Sequence, residues 1–218
     1  MFKVLIGVLC TCLLVACGQT HFVKKLNITN IFAVRSTFGP HFRVRTTGPT
    51  RIDPKQLSQR PLPSGVTFDP PKCQNYASGQ TLPPGLTGNL AVISAEGEGN
   101  RFIAIAIEAS EPVSLDPTIM QKCQHVTFSG ENVNGTADVV DSPKIGDAQT
   151  LGTHRTLETT MATVAQSGEI YDYVAYLGNY LVMVTASPLM VRNQPPAPVD
   201  VDRAKSLLTD AVAAIRSR

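Results

Sequence analysis

The sequence predicts a single α+β domain: a largely antiparallel β-sheet with an N-terminal and a C-terminal helix packed against it, stapled by one disulfide. Three observations predict it. Apolar runs of strand length follow one another through the middle of the chain, and the segments between several of them are short and glycine-bearing, as hairpins require. The two stretches with helical spacing of apolar residues lie towards its ends.

In chain order, the first element is an export signal rather than part of the domain. Met1, Phe2 and Lys3 give a short positive start, and residues 4–15 form an uncharged apolar run. Taken as helix to Cys17, that run reaches roughly 21 Å, short of a hydrocarbon core of about 30 Å. It ends in Leu14, Val15, Ala16, Cys17, which looks like the bacterial lipobox. There the cysteine sulfur accepts a diacylglyceryl group, and the peptidase needs a small residue before the cut. The expected organisation is therefore a signal peptide at residues 1–16, a lipidated tether at 17–26 and a sensor-like domain at 27–218. The chain would be anchored to the outer face of the cell membrane through acyl chains, such as palmitate, on Cys17. Cys10 and Cys12 leave with the signal.

Two further cysteines, Cys73 and Cys123, remain. In an oxidising compartment they most simply pair; the competing reading, a catalytic thiol, has no activating histidine in its sequence context. Charge is uneven. Residues 17–60 carry eight basic side chains against Asp53 alone, a net +7, and residues 61–218 sum to −6. The basic segment either lies on anionic headgroups, at about 1 kcal/mol per residue, or packs against the acidic remainder. Two acyl chains contribute on the order of 20 kcal/mol, so retention does not need it.

The domain opens with residues 27–38, where Ile28, Ile31, Phe32, Arg35 and Phe38 fall at helical spacing before Gly39 and Pro40. Phe42, Val44 and Thr46 alternate with Arg43 and Arg45 as in a half-exposed strand. Residues 49–71 read as irregular, and residues 69–77 as a short helix carrying Cys73. Residues 89–95 and 101–109 form a hairpin closed by residues 96–100. In its second strand Ile103, Ile105 and Ile107 share one face, and Phe102, Ala104 and Ala106 the other, which predicts burial on both sides. Asp116 and Pro117 open a short helix that delivers Cys123 to a strand through Phe128. Residues 135–141 and 149–159 read as strands, the second broken by Gly152. Residues 169–177 and 180–187 form a hairpin around Gly178 and Asn179. After a proline-rich loop, Ala204, Leu207, Leu208, Ala211, Val212 and Ile215 form the stripe of a terminal helix.

The lipobox, the segment LPSGVTFDPPKC (62–73), the second cysteine at Cys123, the segment AYLGNYLVMVTA (175–186) and the terminal helix resemble mycobacterial sensor-like lipoproteins of uncharacterised function. These are similar to the extracellular sensor domain of a mycobacterial membrane Ser/Thr protein kinase. The resemblance implies an antiparallel sheet with helices and a ligand cleft. The kinase domains carry two disulfides; this sequence has mature cysteines for one.

Motifs of catalysis are missing from the sequence: no Gly-x-Ser-x-Gly elbow, no phosphate loop, no His-Glu-x-x-His pair. The four histidines lack metal-ligand spacing. The expectation is a non-enzyme without cofactor or metal, and without a nucleic-acid partner. Candidate ligand or partner surfaces are Tyr171 with Tyr173, and Arg43 with Arg45, each pair sharing a strand face; both pairs also suit ordinary sheet faces. Three function classes follow: a small-ligand binding or sensing domain, an interaction or scaffold lipoprotein for another envelope protein, and a hydrolase with a spatially assembled triad.

Overall fold

The computed structural model describes residues 25–52, 62–79, 82–83, 85–161, 164–190 and 195–217. The signal, Cys17 and most of the tether lie outside the described residues. Nine strands form one antiparallel sheet: β1 (Arg43–Arg51), β2 (Thr67–Asp69), β3 (Gly88–Gly97), β4 (Asn100–Ala109), β5 (His125–Gly130), β6 (Val133–Val140), β7 (Gln149–Met161), β8 (Val164–Leu177) and β9 (Tyr180–Pro188). Their order is β1-β3-β4-β9-β8-β7-β6-β5-β2. The helices are α1 (Gln74–Ala77), α2 (Pro117–Lys122) and α3 (Val201–Arg216), with 3-10 turns at Ile28–Thr37 and Pro71–Cys73. Among the described residues, no helix is long and apolar enough to cross a membrane.

Turn chemistry sets the register. The β3–β4 hairpin closes on two residues rather than the expected five: Glu98 and Gly99 both have positive φ (50° and 76°), as a tight I′-type turn demands. The β8–β9 hairpin turns at Gly178 (φ 69°) and Asn179 as expected. Gly152 does not break β7. A Cβ there would lie 2.8 Å from the Val140 carbonyl oxygen and 3.0 Å from the Tyr173 ring, so glycine serves close approach inside a continuous strand. Two other expectations are corrected. The 27–38 helix is wound as a 3-10 helix, and its buried residues Ile28, Ile31 and Val34 recur every third position, the period of that winding. Within the expected irregular stretch, β1 runs on to Arg51 past a register shift near Gly48–Pro49, and Thr67–Asp69 pairs with β5 as the edge strand β2.

The sheet has a separate cover on each face. On one, here face A, α3 and the 3-10 helix pack over Ala91, Ile93, Phe102, Ala104, Tyr173, Val182 and Val184. The six apolar residues of the α3 stripe are all buried, each contributing about 1.5–3 kcal/mol by leaving water. Asp200 caps the helix, accepting from the Arg203 amide at 2.9 Å. The Asn27 amide donates to the Ile215 carbonyl at 3.1 Å, tying both ends of the domain together.

On face B the cover is a layer of loops and short helices. Asp116 caps α2 by accepting from the Thr118 amide at 2.8 Å, with Pro117 in the first turn. Cys123 then meets Cys73 beside α1 in the expected disulfide, with a Cα–Cα distance of 5.7 Å. Tyr76, Leu86, Val113 and the bonded cysteines bury Leu90, Ile107, Leu181, Val126 and Phe128 of the sheet beneath them.

Candidate functional site

Among the described residues, the tightly packed face B cover stops partway along the strands. Side chains aligned across the sheet form rows perpendicular to the strands, because antiparallel partners sit directly opposite. The row Leu90–Ile107–Leu181–Tyr176 is buried. The next, Val92–Ile105–Met183, is half-buried, and the one beyond it, Arg45–Ser94–Ile103–Thr185–Asp172, runs from full exposure at Arg45 through half-exposed Ser94, Ile103 and Thr185. The expected two-sided burial of β4 therefore holds throughout for Phe102, Ala104 and Ala106, but on face B only for Ile107. Ile103 and Ile105 lie in the middle of a nine-stranded sheet without full cover among the described residues. Solvated strand faces normally carry polar side chains; this floor is aliphatic.

Its inner end is polar and closed. Arg155 and Asp172 are 8% and 5% exposed and form a close ion pair through Nη2 and Oδ2. The Thr185 hydroxyl donates to Asp172 Oδ1 at 2.6 Å. Gly79 (φ 79°) lies against this pair: a Cβ there would stand 2.0 Å from Arg155 Nη1, so only a glycine backbone fits over the guanidinium. Nearby Tyr76 is buried, which pushes its phenol up to about 12. At the outer end, Arg43 and Arg45 stand exposed on edge strand β1. Arg43 faces Glu96 across the ladder, and Glu96 pairs with Arg101 at 3.6 Å. The two arginines, the aliphatic floor and the buried ion pair thus lie on one face, bounded along one side by the disulfide layer.

The other expected surface is elsewhere. Tyr171 and Tyr173 share face A, opposite the arginines. Tyr173 is fully buried beneath α3, not a surface residue; burial pushes its phenol up to about 12. Tyr171 is half-buried and stacks on His154, with ring centroids 4.2 Å apart and an interplanar angle of 14°. Beyond α3, face A carries His154 with Glu169 (3.2 Å), His125 in contact with Asp138, and Thr136 donating to Asp138 Oδ2 at 3.0 Å. This is the polar face of a sheet meeting water. A hollow of about 620 Å³ opens near the start of the domain, but Lys25, Asn27, Asn89 and Glu108 around it present no single charge to a ligand.

Among the described residues, no group of three His, Cys, Asp or Glu side chains is placed to hold a metal. Both cysteines are bonded, which rules out the catalytic-thiol reading. None of the described basic residues of the N-terminal segment, Lys25, Arg35, Arg43, Arg45 and Arg51, forms an ion pair among the described residues.

A disulfide-stapled antiparallel sheet with unequal covers on its two faces defines the class. Residues 27–216 match a domain of unknown function, DUF5642, and the chain belongs to that family. It is similar to an uncharacterised protein of Mycobacterium smegmatis, the Rv0999 ortholog: the two are 49% identical, with a TM-score of 0.81 over 89% of this chain and all of the other. The expected kinship with mycobacterial proteins of uncharacterised function therefore holds. The extracellular domain of PknH from Mycobacterium tuberculosis aligns over 86% of this chain and 92% of its own at 16% identity, with a TM-score of 0.39. No curated protein matches the chain.

Proposed function

We propose that this chain is a lipid-anchored domain on the outer face of the cell membrane that binds a ligand without transforming it, in a sensing role. The observation that carries the reading is the aliphatic stretch of face B, Val92, Ile103 and Ile105, which is only partly buried. A contiguous aliphatic stretch that is not fully buried suits an interaction surface, and a floor with a polar closed end and a basic open end has the build of a ligand site. The lipobox at Cys17 and the Cys73–Cys123 disulfide both suit an exported protein. Pairing of another protein along the β1 edge is disfavoured, because that strand carries Arg43, Arg45 and Arg51 and is interrupted at Pro49.

The binding reading is tested by thermal unfolding in the presence of lipid, glycan and small-metabolite fractions of the cell envelope. At least one fraction should raise the melting temperature; no shift with any of them contradicts the reading. Anchoring is tested separately: Cys17→Ala should abolish metabolic labelling by a fatty acid and release or mislocalise the protein, and unchanged labelling contradicts it.

A further inference from the structure

We propose that the hollow at the start of the domain binds an ethanolamine phosphodiester, as the headgroup of a zwitterionic membrane lipid or in its soluble glycerol form. The ammonium group would sit on Glu108 and Asn89, and the phosphate on Lys25 and Asn27. The site lies on face A and is independent of the face B reading. The choice of phosphate as the anion rests on the anchoring reading, which puts a membrane surface near it.

Two walls of opposite character enclose the hollow. One is the row Asn89–Glu108–Tyr180, set side by side by the β3–β4 and β4–β9 ladders. The Tyr180 phenol, 6% exposed, donates to Glu108 Oε1 at 3.2 Å, which fixes the carboxylate and leaves Oε2 to accept from a ligand. The other wall is the chain entering the domain, held where the Asn27 amide donates to the Ile215 carbonyl at 3.1 Å. Asn27 Oδ1 accepts from both the amide and the hydroxyl of Thr29, at 3.0 and 2.6 Å, so this side chain offers its Nδ2 protons. Lys25 beside it is exposed. Neither Lys25 nor Glu108 forms an ion pair among the described residues. Donors on one wall thus face acceptors on the other across a volume of about 620 Å³, with Pro49 at its side. A simple anion would meet Glu108 and a simple cation would meet Lys25, whereas a molecule carrying both charges satisfies both walls. A primary ammonium has three protons for the Glu108 and Asn89 oxygens, and a lysine ammonium is a point-charge partner for phosphate. Arg51, opposite Asn89 in the β1–β3 ladder, adds positive charge at the rim. Lys25 stands eight residues from Cys17, at most about 29 Å of extended chain. A lipid on that cysteine therefore keeps the hollow within reach of headgroups.

Glycerophosphoethanolamine is the probe, titrated calorimetrically into the full chain carrying Cys17→Ser. It should bind. Glycerophosphocholine, which keeps both charges but has no N–H to donate, and glycerophosphoglycerol, which lacks the ammonium, should each bind at least tenfold more weakly. Glu108→Gln should weaken binding of the probe at least tenfold; the amide keeps an oxygen for Tyr180, so folding should survive. Lys25→Gln, at an exposed position, should weaken it at least fivefold. Lys122→Gln and Glu131→Gln are the controls: each removes an exposed charge on another element and should leave affinity unchanged. Absence of binding overturns the proposal, as do equal affinities for the ethanolamine and choline diesters, or for the probe and alanylalanine, a zwitterion with a carboxylate. Equal losses in the site variants and the controls overturn it too. Flotation with vesicles of phosphatidylethanolamine in phosphatidylcholine, against phosphatidylcholine alone, separates the sources. Selective flotation supports the lipid headgroup, and calorimetric binding without it supports the free diester; both are the proposed chemistry. If Cys17→Ala leaves fatty-acid labelling unchanged, the anchoring reading falls and calorimetry still decides the site. If labelling is lost and the diester fails to bind, the site falls and anchoring stands.

Discussion

Replacing Cys73 and Cys123 together by alanine tests how the face B cover is held in place. The bond closes a loop of 50 residues. In the chain-entropy treatment that loop restricts the unfolded chain by about 14 cal/mol/K, or about 4 kcal/mol at 25 °C. The half-cystines are 1% and 2% exposed, so alanine, unlike serine, brings no hydroxyl into the apolar layer. Equilibrium unfolding in urea is the assay, followed by far-ultraviolet circular dichroism and by tyrosine fluorescence, since the chain has five tyrosines and no tryptophan. With a denaturant slope of about 2–3 kcal/mol/M for a domain of this size, the midpoint should fall by roughly 1.3–2 M. A loss below about 1 kcal/mol would refute the loop-closure reasoning. It would mean that hydrophobic contacts of Tyr76, Leu86 and Val113 hold the layer without the bond.

Other perturbations follow from the same structure. Arg155→Met leaves the Asp172 carboxylate buried without its guanidinium and should cost about 3–5 kcal/mol in urea melts; a loss under 1 kcal/mol would show that the pair is not desolvated as described. Leu208→Ala, at a fully buried position of the α3 stripe, should cost about 3–5 kcal/mol, and a near-neutral result would contradict the packing of α3 on face A. Burial raises Tyr76, Tyr173 and Tyr176 from 10 to about 12. Because the folded state holds these protons more tightly, their stabilisation is fully present below pH 10 and lost as pH rises from 10 to 12. Stability should drop through that window, with phenolate absorbance appearing late. Ionisation of all five tyrosines near pH 10 with the fold intact would contradict it.

Much of the architecture was legible because it is written in local chemistry. The Asp116–Pro117 start of α2, the Gly178–Asn179 turn and the α3 stripe are short-range signals that the structure reproduces. Residue parity assigned Tyr171 with Tyr173 and Arg43 with Arg45 to common faces. It carried no information about which face lay under α3, because cover is decided by segments distant in the chain. β2 has three residues and is a strand only because β5 lies beside it. The 3-10 winding had a signal, Ile28, Ile31 and Val34 at every third residue, but Phe32, Arg35 and Phe38 suggested a 3.6-residue period. The ion pair between Arg155 and Asp172 joins neighbouring strands seventeen residues apart and leaves no pattern in sequence. The candidate site was half visible: alternation of Ile103, Ile105 and Ile107 marked an apolar face, and the incomplete cover over it emerged from the tertiary structure alone.

The central claim is that the partly buried aliphatic half of face B is where a ligand sits. Amide and methyl chemical shifts, recorded as an active envelope fraction is added, test it most directly. The account predicts that perturbations cluster on Arg43, Arg45, Val92, Ile103, Ile105 and Met183. Shifts confined to His125, Asp138, His154, Glu169 and Tyr171 on face A would contradict it.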